Sequence, residues 1–352
     1  MHHIVAYALS GCFAGWPANN GLWAWEGDEI VVGCSVGDFQ AQPGHSVTGH
    51  IRSVLLRSRD GGESWTAEEP QDYLNDPHPP AALAEESDWT GDGFALRVVG
   101  TGYHGTDEPR GGFYLSEDRG HTWRGPYRLD GPTGCAPLDG LEMTPRTDYL
   151  VGGARECLLF GSARDPETWG SDRVFCARTA DAGRTFQFVS WMVPPSDAYR
   201  AVMPSTVRCS PNVMVSAVRR RDMSTDQGWI DAYGSTDNGG SWSYLSRVGE
   251  TGGWNGNPPA LVRLRDRRLC CVYGDRTRRQ MVARFSRYEG RSWDAPVILR
   301  DDFHSVDGEP DLGYPRIFQR ADGCLVAVYY WATRDHPQQH IAATLWFPAG
   351  SS

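Results

Sequence analysis

Apolar residues recur along the chain in short runs, separated by clusters of Gly, Pro, Asp and Ser. Runs of this length, rich in Val, Ile, Leu and aromatic residues and bounded by turn residues, indicate β-strands rather than helices. The strongest runs are 29–37, 156–164, 213–221, 268–276 and 324–331. A shorter run precedes most of them and another follows, so the pattern predicts a repeating group of strands.

An eight-residue motif, Ser-x-Asp-x-Gly-x-Ser/Thr-Trp/Phe, punctuates this pattern, and we call each copy a box. Boxes 1 to 4 begin at Ser58, Ser116, Thr179 and Ser235, and box 5 begins at Ser286 but has Tyr288 in place of the Asp. Asp and Ser accept hydrogen bonds from nearby backbone in turns, and Gly adopts a positive φ that other residues resist. Each box is therefore predicted to be a hairpin turn with a structural role.

The strands around the boxes predict the architecture. Third strands are predicted just before the boxes, at 51–57, 112–115, 173–178, 229–234 and 280–285, and first strands at 20–25, 147–151, 205–208, 260–264 and 316–319. This gives four antiparallel strands per unit and about six units, which is typical of an all-β, six-bladed β-propeller. The second unit is the weakest, because its only clear run before residue 112 is 94–100.

The two ends of the chain predict how the ring closes. Residues 341–346 are the third strand of the last unit, and no box follows them. The run 3–9 belongs to no unit, so we predict that it forms the outermost strand of the last blade and covers an exposed edge. Residues 1–352 are then one domain, with 70–91 as a long loop over one face.

Composition narrows the classes of function. The chain carries a net charge of −10, and all 34 basic residues are Arg, so a Schiff-base or P-loop lysine is excluded. An acidic chain disfavours nucleic acid and anionic lipid, and no apolar run is long enough to span a membrane. The nine cysteines contain no CxxC and the histidines show no ligand spacing, so no metal or cofactor is expected. With no recognisable signal peptide and Cys residues typical of a reduced core, we expect a cytoplasmic protein.

The order of the strands indicates where the chemistry lies. Because strands alternate in direction, the starts of first strands and the ends of second strands meet on the face opposite the boxes. The side chains expected to bind substrate there are Asn19, Asn20, Arg110, Arg146, Arg219, Asn257, Arg276, Arg316 and Trp331. The candidate catalytic groups are His104, Asp107, Glu108, Asp275 and Tyr314, with His45 and His50 as further possible bases. Arginine forks suit carboxylate or sulfate, and aromatic rings suit sugars.

The boxes make nearly the whole chain resemble the sialidase superfamily, six-bladed propellers with such Asp-box repeats. The resemblance implies removal of terminal sialic acids with retention, by an arginine triad, a Tyr nucleophile activated by a Glu, and an Asp acid/base. Gly313-Tyr314 matches the place of the nucleophile and Arg219 that of the second arginine. Three places differ, because Gly15-Trp16-Pro17 replaces an Arg-Ile-Pro motif, Met203-Pro204-Ser205 stands where the Glu is expected, and Asn257 or a neighbour replaces the fifth-blade arginine. No residue matches the acid/base Asp. The chain is similar to a divergent bacterial subgroup.

Three functions follow from these observations. We expect an exo-acting glycoside hydrolase on a terminal anionic sugar, sialic acid or uronic-acid-like, with an acidic glycan as partner and Tyr314 as nucleophile or transition-state stabiliser. The first alternative is a lyase on uronic acids, with arginines acidifying the α-proton and His104 or a Tyr removing it. The second is a carbohydrate-binding propeller without catalysis, which the replaced Glu favours.

Overall fold

The structure is a computed structural model that describes residues 1–26, 28–71, 73–74, 78–85, 87–100, 110–129, 136–144 and 146–349. Besides a helix α1 (Pro17–Asn20) and a 3-10 turn (Ala136–Leu138), its elements are strands. The strands are β1 (His2–Tyr7), β2 (Cys12–Gly15), β3 (Leu22–Trp25), β4 (Glu29–Phe39), β5 (Val47–Ser58), β6 (Thr66–Glu68), β7 (Ala95–Val99), β8 (Gly112–Ser116), β9 (Arg124–Arg128), β10 (Glu142–Thr144), β11 (Tyr149–Gly153), β12 (Glu156–Arg164), β13 (Arg173–Thr179), β14 (Gln187–Trp191), β15 (Arg200–Arg208), β16 (Met214–Arg221), β17 (Gly228–Ser235), β18 (Ser243–Gly252), β19 (Ala260–Arg263), β20 (Leu269–Asp275), β21 (Gln280–Ser286), β22 (Val297–Arg300), β23 (Gly313–Gln319), β24 (Leu325–Trp331) and β25 (His340–Trp346).

These strands form six antiparallel sheets, which are the six blades. Blades 4, 5 and 6 have the orders β15-β16-β17-β18, β19-β20-β21-β22 and β23-β24-β25-β1, so the predicted all-β propeller with four-stranded blades is confirmed. Blade 2 is the exception, since it contains β7, β8 and β9 within the described ranges. This matches the second unit's weak strand pattern.

The sixth blade closes the ring as predicted. Strand β1 pairs antiparallel with β25, and His3 lies opposite Thr344 in the register. Their side chains also bond, with His3 Nδ1 at 3.0 Å from Thr344 Oγ1. The first strand of the chain therefore covers the outer edge that β25 would otherwise expose.

The boxes are hairpin turns with one repeated set of hydrogen bonds. In box 1 the Gly62 amide donates to Ser58 Oγ (2.7 Å), and the Ser64 amide donates to Asp60 Oδ1 (2.9 Å). Boxes 2, 3 and 4 repeat both bonds within a few tenths of an ångström. Box 5 keeps the first, from the Gly290 amide to Ser286 Oγ (2.9 Å).

The strand registers confirm the two ends of each blade. In blade 4, Met214 lies opposite Ser235 at the box end, and Arg221 lies opposite Gly228 at the other end. Val202, near the start of β15, lies opposite Arg219. The starts of innermost strands and the ends of second strands therefore share the face opposite the boxes.

Two innermost strands differ from the prediction. Instead of one strand over 20–25, blade 1 has β2 and β3 on either side of α1, and both pair with β4. In blade 3, β10 and β11 likewise both pair with β12. Proline causes part of this difference in blade 1, because Pro17 favours the first turn of a helix and has no amide for a sheet.

The core lies between neighbouring blades, where alternate strand residues interlock. One such cluster joins blades 5 and 6 through side chains that include Val272, Phe285 and Tyr329. Seven of the eight described cysteines are buried in these layers, which confirms that they are core residues. Among the described residues, no helix has the length and apolar character needed to cross a membrane.

Candidate functional site

The innermost strands of blades 1, 4 and 6 begin with strained residues on the face opposite the boxes. Trp16, Met203 and Tyr314 each precede a proline and have left-handed φ angles of 59°, 56° and 48°. The pairing register slips at these places in blades 4 and 6, which marks bulges. Bulges redirect side chains, and strain of this kind, about 1–3 kcal/mol per residue, is concentrated at functional sites. The three side chains are buried in one cluster.

The turn at Tyr314 is held by Asn257 from blade 5. Asn257 Oδ1 accepts from the Tyr314 amide (2.9 Å), and its Nδ2 donates to the Leu312 carbonyl (2.7 Å). Gly313 has φ 102°, and a Cβ there would lie 2.3 Å from Asn257 Oδ1. Asn257, predicted to bind substrate, is thus fully buried and positions Tyr314 instead.

Charged and polar side chains surround Tyr314, and we call this group the axial cluster: His45, Arg146, Arg219, Arg276, Asp311, Tyr314 and Tyr330. Arg219 Nη1 donates to the Tyr314 hydroxyl (3.1 Å). The guanidinium carbons of Arg219 and Arg276 lie 5.6 Å and 5.8 Å from the centre of the Tyr314 ring. Three of the predicted site residues, from blades 4, 5 and 6, are therefore brought together.

Asp311 links the cluster to His45. Its Oδ1 is 2.9 Å from His45 Nδ1 and accepts from Arg276 Nη2 (3.2 Å) and from the Tyr330 hydroxyl. Arg276 Nη2 also donates to the Tyr330 hydroxyl (2.9 Å). The His45 side chain keeps 27% of its surface exposed, whereas Asp311 keeps 2%. A buried carboxylate thus orients a histidine whose side chain is partly exposed.

The electrostatics favour negative charge on Tyr314. Burial opposes ionisation of the phenol, but Arg219 and Arg276 outweigh it and lower the pKa of Tyr314. Burial likewise opposes the charge on Asp311, yet His45 and Arg276 hold the pKa of that carboxyl below its usual range. Tyr330 differs, because burial and the neighbouring Asp311 raise its pKa. Two adjacent tyrosines therefore have opposite acidities.

Arg146 of blade 3 adds a further cation. Its Nη2 donates to the Pro259 carbonyl (2.8 Å), but its buried Nε and Nη1 have no hydrogen-bond acceptor within the described part of the chain. Burial, with Arg219 adding repulsion, lowers the pKa of Arg146 to about 10. Two free donors on one buried guanidinium are an unusual arrangement, and an anionic group would satisfy them.

Arg316, also predicted to bind an anion, instead connects blades. Its Nη2 donates to the carbonyls of Ala18 and Thr147, both at 2.6 Å, and so links blade 6 to blades 1 and 3. Arg97 of blade 2 does the same from the other side. It donates to the Asn19 carbonyl (2.6 Å) and to Asn20 Oδ1 (3.1 Å). Asn19 and Asn20 were expected to bind substrate, and in the structure they accept hydrogen bonds from Arg97.

Three further predicted residues lie apart from the axial cluster. The Asp275 carboxylate pairs with Arg278 (2.7 Å), because alternation along β20 points it away from Arg276. Trp331 is completely buried between blades, and its Nε1 donates to Asp302 (3.0 Å). Arg110 pairs with Asp139 (2.6 Å). The side chains of Asp275 and Trp331 thus have partners in their own blade or next to it, and their roles in catalysis and substrate binding stay predictions.

His104, Asp107 and Glu108 lie outside the described residues, so their candidacy stays a prediction. Over the ranges that the structure describes, no group of three or more His, Cys, Asp or Glu side chains could hold a metal ion.

Sequence reasoning missed Asp311 and Tyr330, and it named His45 only as a further possible base. Asp311 precedes Tyr314 by three residues, so its position next to the strand start was an available signal. Tyr330 ends a second strand, the same topological place as Arg219 and Arg276. The sequence could not pair His45 with Asp311, because their bond joins residues 266 positions apart.

The family model of the BNR repeat-like domain matches residues 83–328. The chain belongs to the BNR repeat-like family. This match covers well over half of the chain and includes boxes 2 to 5. No functionally curated protein matches it.

Solved structures show the same fold in proteins with different activities. A protein of unknown function from Dyadobacter fermentans is 22% identical, with 97% of each chain covered and a TM-score of 0.70. The GH93 α-L-arabinofuranosidase of Fusarium graminearum is 11% identical, with 99% of this chain and 98% of that chain covered and a TM-score of 0.63. A Hadza microbial sialidase is 16% identical, with 94% and 65% covered and a TM-score of 0.61. The BNR repeat-like chain thus has the sialidase-like propeller that glycoside hydrolases share.

Proposed function

We propose that this chain is a glycoside hydrolase that removes a terminal sugar bearing an anionic group, such as a sialic or uronic acid. One observation carries the proposal: three buried arginines lie close to Tyr314, with Arg219 bonded to its hydroxyl and Arg276 over its ring. Arg146 is the third, and the buried carboxylates nearest to the three are Asp311 and Asp148. Isolated buried cations cost several kcal/mol each unless an anion compensates them. A substrate carboxylate would supply that anion.

The free donors of Arg146 give the substrate carboxylate a place. Its Nε and Nη1 lie on different edges of the guanidinium, so a substrate carboxylate would accept from one of them and a sugar hydroxyl from the other. Arg219 and Arg276 stay on Tyr314. Binding would therefore fix the sugar ring with its reacting carbon toward the phenol, and orientation of this kind lowers the barrier by several kcal/mol.

Tyr314 is the proposed nucleophile. Its phenolate oxygen forms a bond to the anomeric carbon while the bond from that carbon to the leaving oxygen breaks, and the departing oxygen receives a proton from His45 Nε2. Water then attacks the same carbon, gives its proton to His45 and releases Tyr314, so the configuration is retained. Arg219 takes over part of the role of the Glu expected by resemblance, because it stabilises the phenolate directly.

Exposed tryptophans beside the cluster provide a surface for the rest of the glycan. Trp254 is 50% exposed, and its carbonyl accepts from Arg276 Nη1 (2.6 Å). Trp169 is 57% exposed and stacks on Arg200, whose Nη1 donates to Asn255 Oδ1 (2.9 Å). Exposed aromatic rings of this kind are suited to stack on sugars that follow the terminal residue.

A lyase on uronic acids is the second candidate. Within the described residues, the hydroxyl of Tyr314 is bonded to Arg219 rather than to a carboxylate, so a Tyr314 phenolate could remove the α-proton of a uronic acid directly. Arg146 would neutralise the neighbouring carboxylate and make that proton more acidic.

The test uses purified protein with fluorogenic glycosides of N-acetylneuraminic acid and glucuronic acid, and with a neutral α-L-arabinofuranoside. We expect turnover of an anionic substrate and a decrease of more than about 10³-fold in Tyr314→Phe. Tyr288→Phe removes the same hydroxyl from an exposed tyrosine in box 5 and should leave the rate unchanged.

The outcomes separate the candidates. Near-ultraviolet absorption that develops on polyuronates would assign a lyase, because elimination leaves a conjugated double bond. Turnover of the arabinofuranoside alone would contradict the anionic substrate. Tight binding of an acidic sugar without turnover would assign a binding propeller.

A further inference from the structure

A second pocket lies on the flank of blade 4, between its sheet and the segment that leads into it from blade 3. Its volume is about 330 Å³, within the range of small-molecule sites. We call it the flank pocket, and its principal lining residues are Tyr199, Arg220, Trp229, Asp231, Tyr244 and Arg247. Of these residues, none belongs to the axial cluster.

Strand geometry builds the pocket wall. Trp229, Asp231 and Tyr233 alternate along β17, so their side chains share one face of the blade. Tyr244 of β18 meets the edge of Tyr233, with ring centres 5.9 Å apart, and Tyr199 meets Trp229 at 5.1 Å. Tyr244 and Tyr199 remain 57% and 43% exposed, so two aromatic surfaces flank an open space.

Polar atoms between the rings are already oriented. Asp231 is 5% exposed, and its Oδ2 accepts from Trp229 Nε1 (2.8 Å). Arg247 Nε donates to Asp231 Oδ1 (3.4 Å). The buried Nε1 of Trp242, which also lines the pocket, has no acceptor within the described part of the chain. The pocket thus offers acceptors, donors and one unsatisfied donor.

The charges of the flank pocket select a neutral ligand. Arg220 and Arg247 are balanced by Asp197 and Asp231. A cationic ligand would need the faces of the aromatic rings, but Arg247 already stacks on Trp229 at 4.5 Å and Arg220 on Tyr233 at 5.9 Å. This balance contrasts with the excess of arginine in the axial cluster.

We propose that the flank pocket binds a neutral sugar, with Tyr244 and Tyr199 against the ring faces and Asp231, Arg247 and Trp242 bonded to hydroxyl groups. The site would hold a glycan or a neighbouring chain of the same polysaccharide on the outer wall of the propeller. It does not depend on the activity proposed for the axial cluster.

The test is calorimetric titration and ligand-observed NMR of the full chain with cellobiose, lactose and xylobiose. We expect at least one of them to bind, and Tyr244→Ala to weaken that binding by at least about tenfold, a typical loss for a stacked aromatic contact. Phe347→Ala removes another exposed ring, 64% exposed and in blade 6, and should bind like the parent protein.

Binding that persists in Tyr244→Ala, or no binding of all three sugars, would overturn the proposal. Binding of choline in their place would also overturn it, because it would assign a cation site. Thermal melts of each variant separate loss of the site from loss of the fold. Tyr314→Phe should still bind the sugar in the flank pocket. Loss of sugar binding can therefore be told apart from loss of the glycosidase activity proposed for the axial cluster.

Discussion

The two ends of the propeller are built from different kinds of turn. At the box end, five turns share one hydrogen bond from a Gly amide to a Ser or Thr hydroxyl, with lengths between 2.7 Å and 2.9 Å. At the other end, the innermost strands begin in different ways: blades 1, 4 and 6 use left-handed Trp16, Met203 and Tyr314, and Asn257 of blade 5 bonds the last of these.

The two ends of the propeller therefore have different structural roles. At the box end, each hairpin is held by the same hydrogen bond within the turn. At the opposite end, strained backbone and bulges aim side chains at the axis, and bonds between blades hold them there. The turns thus repeat at the box end, and the axial cluster lies at the end where they do not.

Arg219 provides the largest expected effect at the axial end. Arg219→Met removes the donor on the Tyr314 hydroxyl, so we expect kcat/KM to decrease by about 10²–10³-fold, the loss typical of one preorganised donor. Because Arg219 helps to lower the pKa of Tyr314, the rise of the rate with pH should move to higher pH in the variant.

A pH–rate profile measures both changes. The matched control is Arg320→Met at the box end of blade 6, where Arg320 pairs with Asp322 (2.7 Å) on the surface. Its profile should match that of the parent protein. An Arg219→Met profile with an unmoved midpoint would mean that Arg219 does not tune Tyr314.

Substitution of two glycines of blade 6 allows a direct comparison of the two ends of the propeller. Gly313 and Gly323 have φ angles of 102° and 92°, but a Cβ at Gly313 would overlap Asn257, whereas a Cβ at Gly323 meets nothing within 4 Å. We expect Gly313→Ala to cost about 2–4 kcal/mol of unfolding free energy and Gly323→Ala about 1 kcal/mol. Urea unfolding of both variants measures the difference, and equal costs would show that Asn257 does not fix the turn.

Replacing an aspartate of a box is expected to have the smallest effect on the free energy of unfolding. Burial alone would raise the pKa of Asp60, but its bonds from Ser64 and Ser58 lower it. A lowered pKa in the folded state stabilises the fold above the unfolded pKa, about 4, and this contribution is lost as the pH falls through the folded pKa. Because Asp60 is exposed and solvent screens its bonds, Asp60→Asn should lower stability by less than about 1 kcal/mol at pH 7 and by still less at pH 3.

Box 5 supplies the control for this change. Tyr288→Asn introduces the same side chain at the equivalent position, where the parent residue makes no such bond, and should leave the pH dependence of stability unchanged. Chemical unfolding between pH 3 and pH 7 tests both variants. Equal pH dependence for Asp60→Asn and the parent protein would contradict the role given to the aspartate.

The fold could be predicted because its signals are local. Alternating apolar runs and the boxes depend on residues close in sequence, so the ring of six blades and the pairing of the first strand with β25 were both predictable. The split of the blade 1 inner strand around α1 was not, because α1 is held by Arg97 and Arg316 from other blades.

The site was predictable only in part. Strand order placed Arg219, Arg276 and Tyr314 on one face, since topology fixes which ends meet. It could not show which arginines have free donors, because the bonds of Arg316 to Ala18 and Thr147 join residues far apart in the chain. It also could not separate Asp275 from Arg276, whose directions depend on one residue of register.

The pairing of β1 with β25 sets the order in which the molecule can be completed. During synthesis the first six-residue strand emerges early, but its partner at 340–346 appears only after five blades have been made. The early strand must wait unpaired while those blades fold from the N-terminal side. Assembly of the last blade is therefore the slow, long-range step, and it is the step most exposed to pairing with another molecule.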